Sequence, residues 1–275
     1  MSEVPAYIDA AGCAHQPAGS SARIVSLVPS ITELLFELGL GAQVVGRTGF
    51  CIHPRTPVRN VPKVGGTKDV RLDVLRALRP THVIVNVDEN EYSTVEEIRS
   101  DVTQIIVTHP NAPDDNVALF HLLGSIFNAR ERAEQLASEL RCELDACSEI
   151  IWPCERVLYL IWKKPWMTVA ADTYIARTLA CVGWQVPTAP GGWAGAARYP
   201  EVPDIEAAAQ DVDRVLLSSE PFMFRERDIA ELEEQLDKPV QLVDGEMTSW
   251  YGNRAIVGLG YLRRIRGALT LPAGR

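Results

Sequence analysis

Cys51 and His53, two residues apart in "TGFCIHP", are the nearest thing in this chain to a metal-ligand pair, because soft metals take thiolate and imidazole together. Two ligands without a third do not make a site, and a buried thiol beside a capping histidine is the better account of the pair. Asp88, Glu89 and Glu91 could hold a cation, but they also read as a solvated acidic loop. The usual catalytic patterns are missing: the sequence has no GxSxG, no P-loop, no HExxH and no GxGxxG after its first strand. Its five histidines form no evident set of nucleophile, base and orienter. The expectation is a protein that is not an enzyme and has no metal site of its own.

Aromatic residues carry a stronger signal. Trp162 and Trp166 in "WKKPWM", Phe222 and Phe224 in "SSEPFMF", and Trp250 and Tyr251 in "DGEMTSWYGNR" each follow an apolar run that reads as a strand. Phe50 and Tyr92 do the same in the other half of the chain. In parallel α/β sheets ligands sit outside the carboxyl ends of the strands. Large rings gathered in those loops point to a cleft that sandwiches a flat or bulky ligand. Taken singly, Trp162 and Trp166 read more readily as packing between loop and sheet, whereas Trp250, with Met247 and Tyr251 in the same surface loop, reads as a contact.

The elements that position these loops alternate along the chain. Strands are expected over 22–28, 42–47, 81–87 and 103–108. The helices between them are expected to open at Ser30, with Glu33 completing a capping box and Gly39 and Gly41 as the stop, at Thr67 or Asp69, at Ser93, and over 112–127. A short hairpin around Ala11 and Gly12 precedes them. The run from Asn128 to Trp152 contains neither Gly nor Pro, so it reads as one helix of roughly 36 Å, with Asn128 and Glu131 as a capping box and Pro153 as the exit. A second alternating set follows, with strands over 156–162, 213–219 and 239–243. Its helices are expected over 172–184, 202–210 and 225–236 and from Ala255 onward, with a Gly/Pro-rich loop over 187–200. Short links between strand and helix imply parallel sheets. The fold class is α/β, with two lobes joined by one long α-helix: an N-terminal extension over 1–20, an N-lobe over 21–127, the linking helix over 128–152 and a C-lobe over 153–275.

Composition bounds the partners. The chain has 275 residues, 47% of them hydrophobic and 23% charged, with a formal net charge of -9. That is globular and acidic, without the concentrated basic face of a nucleic-acid or anionic-membrane binder. Arg263, Arg264 and Arg266 read as a solvated helix end complementing the helix dipole. No run approaches the roughly 18 apolar residues of a membrane span. The N-terminus lacks the basic region and apolar core of a signal peptide, so the expected compartment is the cytoplasm, where the six cysteines should mostly be free thiols. Cys142 and Cys147 lie about 140° apart on a helix, poorly placed to chelate or bridge.

"RIVSLVPSITELLFELGLGAQVVGRTGFCIHP", then "LRALRPTHVIV", then the single long helix resemble the ABC-transporter periplasmic binding proteins of the helical-backbone metal receptor class, and among them the vitamin B12-binding proteins. The resemblance runs over about residues 20–268. It implies two Rossmann-like lobes of the class III type, holding a corrinoid, haem or ferric siderophore edge-on between aromatic residues in the inter-lobe cleft. The family is normally periplasmic. Its aromatic after the second strand falls on Phe50 and its C-lobe tryptophan on Trp250, followed by Tyr251. Its other N-lobe tryptophan falls on Thr67, which is a departure. The acidic residue that docks the N-lobe on the ABC permease matches Asp73, and the C-lobe counterpart falls near Gly252. The expected function is non-catalytic binding of a cobalamin-like corrinoid or other metal chelate by a monomer. Phe50, Trp162, Trp166, Trp250 and Tyr251 would supply stacking, and Lys68, Glu246 and Arg254 polar rim contacts, with Cys51 and His53 beside them. The alternatives are a cytosolic enzyme or chaperone handling a metal or tetrapyrrole through Cys51 and His53, or an interaction protein whose aromatics meet another protein.

Overall fold

The computed structural model describes residues 7–187 and 197–270. The chain divides into two compact units. The first comprises residues up to Pro110, Asp115–Leu140 and Tyr251–Asn253; the second comprises Asn111–Asp114, Arg141–Trp250 and the chain from Arg254. Each is built on its own four-stranded parallel sheet, so the molecule is an α/β protein with two Rossmann-like lobes and a long helix running from one into the other.

In chain order the elements are β1 (Tyr7–Ile8), β2 (Ala14–His15), β3 (Ile24–Ser26), α1 (Pro29–Glu37), β4 (Val44–Arg47), α2 (Leu72–Ala77), β5 (His82–Asn86), α3 (Tyr92–Ile98), β6 (Gln104–Thr108), α4 (Asp115–Ile126) and α5 (Arg130–Ser148). They continue as β7 (Glu155–Leu160), α6 (Tyr174–Ala180), β8 (Trp184–Gln185), α7 (Ile205–Gln210), β9 (Arg214–Ser218), α8 (Glu226–Leu236), β10 (Val240–Val243), α9 (Gly245–Ser249) and α10 (Arg254–Thr270).

The first sheet runs β4-β3-β5-β6, all parallel. All residues of β3 and β5 are buried, as central strands covered on both faces require. Their core gathers Val25, Leu27, Val83 and Val85 with Val64 and Leu75 from the connections. The β1–β2 hairpin closes the outer edge of β6: Ala10 donates its N–H to the Val107 carbonyl at 3.0 Å, and the Val107 N–H donates to Asp9 Oδ2 at 2.9 Å. The second sheet runs β10-β9-β7-β8, also parallel, over a separate core of Leu158, Leu160, Val215, Leu217, Phe224 and Leu232.

Several local expectations are corrected. Pro29 occupies the first turn of α1, where its missing N–H costs nothing, and Val28 is the N-cap residue. Ser30 Oγ is buried with no hydrogen-bond partner among the described residues, so the Ser30–Glu33 capping box does not form. The helix expected from Thr67 starts only at Leu72, because Gly65 bridges Val70 antiparallel and the Gly66 N–H donates to the Asp69 carbonyl at 2.8 Å, drawing this stretch into a turn. Asn128 takes φ +57°, outside the helix, so it does not cap α5 with Glu131. The 19 residues of α5 span about 28 Å, less than the roughly 36 Å expected.

The helix expected through Trp184 stops at Ala180. Gly183, at φ +76°, turns the chain so that Trp184–Gln185 pair with Glu155–Arg156 as an unforeseen strand. Arg266 is not solvated: it is buried, 2.7 Å from the Glu155 carboxylate, with its guanidinium over the Trp184 ring. The Gly/Pro-rich loop expected over 187–200 lies mostly outside the described residues.

Candidate functional site

The loops at the carboxyl ends of the first sheet carry large apolar side chains in the open. Phe50, in the turn after β4, is 63% exposed, Tyr92 at the start of α3 is 74% exposed, and Ile52 and Val87 are exposed beside them in sequence. Their loops are held from behind. Asn90 donates its amide to the carbonyls of Leu27 at 3.2 Å and Thr67 at 2.9 Å, and accepts from the Asn86 N–H at 2.9 Å. One side chain thus ties together the connections after β3, before α2 and after β5. Lys68 lies 3.7 Å from Glu91, both open to solvent. Asp73 is exposed in the first turn of α2.

Cys51 lies elsewhere than expected. It is completely buried, its Sγ accepting from Thr32 Oγ1 at 3.0 Å and lying 3.1 Å from Thr48 Oγ1, and burial pushes the thiol up. It is a core residue rather than a ligand contact. His53 is half-buried, before Pro54. Among the described residues no group of three or more His, Cys, Asp or Glu is placed to hold a metal. The burial of Cys51 weighs against the metal-handling alternative so far as it uses that thiol.

Tyr251 is a second correction. It belongs to the first unit, is only 7% exposed, and donates its hydroxyl to the Glu89 carboxylate. The next residue, Gly252, takes φ +77° and donates its N–H to the buried Asn116 side chain at 2.5 Å. Trp250 precedes it with extended backbone, φ -82° and ψ 126°, and in extended chain successive side chains point to opposite sides. Tyr251 is thus spent on a buried hydroxyl contact within the first unit, whereas Trp250 belongs to the second.

In the second unit, Trp162 is 39% exposed and meets Phe222 edge-on at 5.6 Å. Trp166 is half-buried and packs against the core of this unit, its ring parallel to buried Phe224 at 6.2 Å, with Lys163 5.6 Å from its centroid. Lys163 is in turn held by Asp228 at 3.0 Å and Glu231 at 2.9 Å.

The stretch after β10 contains the short helix α9, where a plain loop was expected. Asp244 caps it, accepting from the N–H groups of Glu246 at 3.0 Å and Met247 at 3.4 Å. At its end the half-buried Trp250 donates its indole N–H to Glu220 Oε1 at 2.7 Å, and the Arg254 guanidinium lies 5.4 Å from the ring centroid. Arg254 also pairs with Glu246 at 3.4 Å. Tryptophan, arginine and two carboxylates thus form one rigid rim. Sequence reasoning found Trp250, Glu246 and Arg254 but missed Glu220. The signal available was position, since "SEPF" directly follows β9.

A rim of exposed rings and fixed polar groups at strand ends suits recognition of a flat, partly apolar molecule. The model of the family described as Periplasmic binding protein matches residues 24–236, and the chain belongs to that family. It is a substrate-binding protein of the ABC-transporter type. The chain is 24% identical over 208 residues to the vitamin B12-binding protein of Vibrio campbellii, covering 74% of this chain and 73% of the relative. It is 28% identical over 130 residues to an uncharacterized ABC transporter substrate-binding lipoprotein, YvrC, of Bacillus subtilis, covering 46% of this chain and 41% of the relative. Among solved structures, the periplasmic vitamin B12-binding protein BtuF of Vibrio cholerae shares the fold with a TM-score of 0.75 at 17% identity, over 91% of this chain and 98% of that one. The periplasmic haem-binding protein RhuT from Roseiflexus sp. RS-1 does so with a TM-score of 0.73 at 22% identity, over 90% and 98%.

Proposed function

We propose that the chain binds a corrinoid, or a related metal chelate such as haem or a ferric siderophore, without catalysing its conversion, and that it delivers this cargo to an ABC permease. The observation that carries the proposal is the Trp250 rim, a half-buried indole fixed by Glu220 and flanked by Arg254. Within the second unit Trp162 adds exposed ring area, and Glu246 and Arg254 offer polar groups to a ligand's edge. Phe50 and Lys68 are the candidate contacts of the first unit, taken by itself. The family membership and the vitamin B12- and haem-binding proteins among the relatives support the ligand class. Asp73 is the residue we assign to permease docking. The chelate is cargo, and no resident cofactor is part of the proposal.

Among the described residues no helix is long and apolar enough to cross a membrane. The expectation of a cytoplasmic location rests on the N-terminal sequence alone, whose first six residues lie outside those described. Family membership favours the periplasm, where a permease is loaded.

A thermal-shift screen of cobalamins, cobinamide, haem and ferric chelates tests the ligand class, because a ligand at 100 times its Kd adds about 2.7 kcal/mol of stability. Trp250→Ala removes a central aromatic contact, typically worth at least about 2 kcal/mol, so Kd for the best ligand should rise about thirtyfold. An unchanged Kd by tryptophan-quench titration would reject Trp250 as a contact.

A further inference from the structure

Glu220 follows β9 and is fixed in place from every side. Ser218 Oγ donates to its backbone carbonyl at 2.6 Å. A Cβ on Gly245 would collide with Glu220 Cγ and lie 2.6 Å from Ser218 Oγ and 2.9 Å from the Glu220 nitrogen, so glycine alone leaves room for this side chain. One carboxylate oxygen, Oε1, accepts both Ser249 Oγ–H at 3.1 Å and the Trp250 indole N–H at 2.7 Å. An elaborately held carboxylate beside a candidate binding indole is more than packing requires.

The charged and titratable groups described around it lie on α9, α10 and β7. Asp244 and Glu246 at the start of α9 add negative charge. Arg254 of α10 lies over the Trp250 ring and pairs with Glu246. Tyr159 of β7 donates its hydroxyl to Ser218 Oγ and, its phenol pushed up by burial, stays neutral. Tyr261 of α10 accepts from the Asp244 N–H, and burial likewise pushes it up. Burial, joined by Glu246 and Asp244, pushes the Glu220 carboxyl above the ordinary glutamate range in spite of its two donors.

We propose that Glu220 is the positioning residue of the binding rim: its carboxylate holds the Trp250 indole in the orientation that meets ligand, and its protonation loosens that hold, so that ligand affinity falls on acidification. The proposal rests on the binding role assigned to Trp250. A charge-assisted N–H···O⁻ bond is about twice as strong as its neutral counterpart. Once protonated, the acid keeps a carbonyl oxygen for Trp250 but loses the charge-assisted part. Because Glu220 titrates above the usual value of about 4.3, the acid limb begins at a higher pH than exposed carboxylates would give.

The test uses the full chain and cyanocobalamin from about pH 8 to about pH 4.5. In ligand-free wild type, the Trp250 contribution to fluorescence, taken as the difference from Trp250→Phe, should titrate, and Kd should rise about three- to tenfold over the same limb. Glu220→Gln keeps a carbonyl acceptor for both donors and should flatten both curves. Trp250→Phe keeps the ring without its N–H and should flatten the Kd curve even if the glutamine variant folds poorly. A limb that survives Glu220→Gln, or a Trp250 signal in wild type that does not titrate, overturns the assignment whether or not ligand binds. An intact fluorescence limb with no binding of cyanocobalamin, haem or a ferric siderophore at any pH instead refutes the binding role of Trp250 and leaves Glu220 as the residue that holds it.

Discussion

Three residues that look alike in sequence end in three environments. Trp250 is half-buried with its indole N–H on Glu220, Tyr251 is buried with its hydroxyl on Glu89, and Cys51 is sealed between two threonine hydroxyls. The aromatic clustering after each strand was legible because rings in surface loops are unusual enough to signal a purpose. Which ring stays open was not, since it depends on a single extended residue at 250 and a left-handed glycine at 252. Cys51 was ambiguous for the same reason: a Cys-x-His spacing records neither burial nor the threonines that satisfy the thiol. The thiols make this checkable. Cys13, Cys142 and Cys154 are exposed, whereas Cys51 and Cys147 are buried, with burial pushing both of the latter thiols up. Since the thiolate is the reactive form, mass spectrometry after brief maleimide treatment at neutral pH should show the three exposed cysteines labelled and Cys51 and Cys147 protected until denaturant is added. Rapid labelling of Cys51 in the native protein would mean that it is open to ligands after all.

At the scale of elements, central strands were the easiest to read, because β3 and β5 are buried along their whole length and appear as unbroken apolar runs. Helix starts were read less well. Ser30, Thr67 and Asn128 all have capping chemistry, but a proline turn, an antiparallel bridge and a positive φ decided otherwise. The two short elements α9 and β8 escaped notice because five and two residues carry no periodicity. α9 is nonetheless the element that presents Trp250, and it packs tightly on α10. A Cβ added at Gly258 of α10 would run into the Met247 carbonyl oxygen and lie 3.2 Å from the Met247 carbonyl carbon. Backbone cannot swing aside as a side chain can, so Gly258→Ala should cost about 1–3 kcal/mol, offset in part by the roughly 1 kcal/mol helix-propensity gain of alanine. Urea denaturation should show a net loss, and ligand affinity should fall with it as α9 shifts. A variant as stable as wild type would show that α9 is not pinned to α10.

For the whole molecule, charge narrows the ligand. The formal net charge is -9, and carboxylates are frequent where the proposed contacts lie: Asp88, Glu89 and Glu91 after β5, and Glu220, Asp244 and Glu246 in the second unit. Among the described cations, Lys68 pairs with Glu91, Arg254 with Glu246, and Lys163 with Asp228 and Glu231. An anionic chelate would approach against this field, whereas an uncharged corrinoid carrying amide groups would not feel it and could offer N–H donors to the carboxylates. Salt separates the two cases, because the Debye length falls from about 30 Å at about 0.01 M to about 3 Å at about 1 M. Kd for cyanocobalamin should stay nearly constant across that range, while Kd for a ferric siderophore with net negative charge should be higher at low salt and fall as salt is added. An anionic chelate that instead binds more tightly at low salt would show that Arg254 or Lys68 leaves its carboxylate partner to meet the ligand, and would move the favoured cargo from corrinoids to charged chelates.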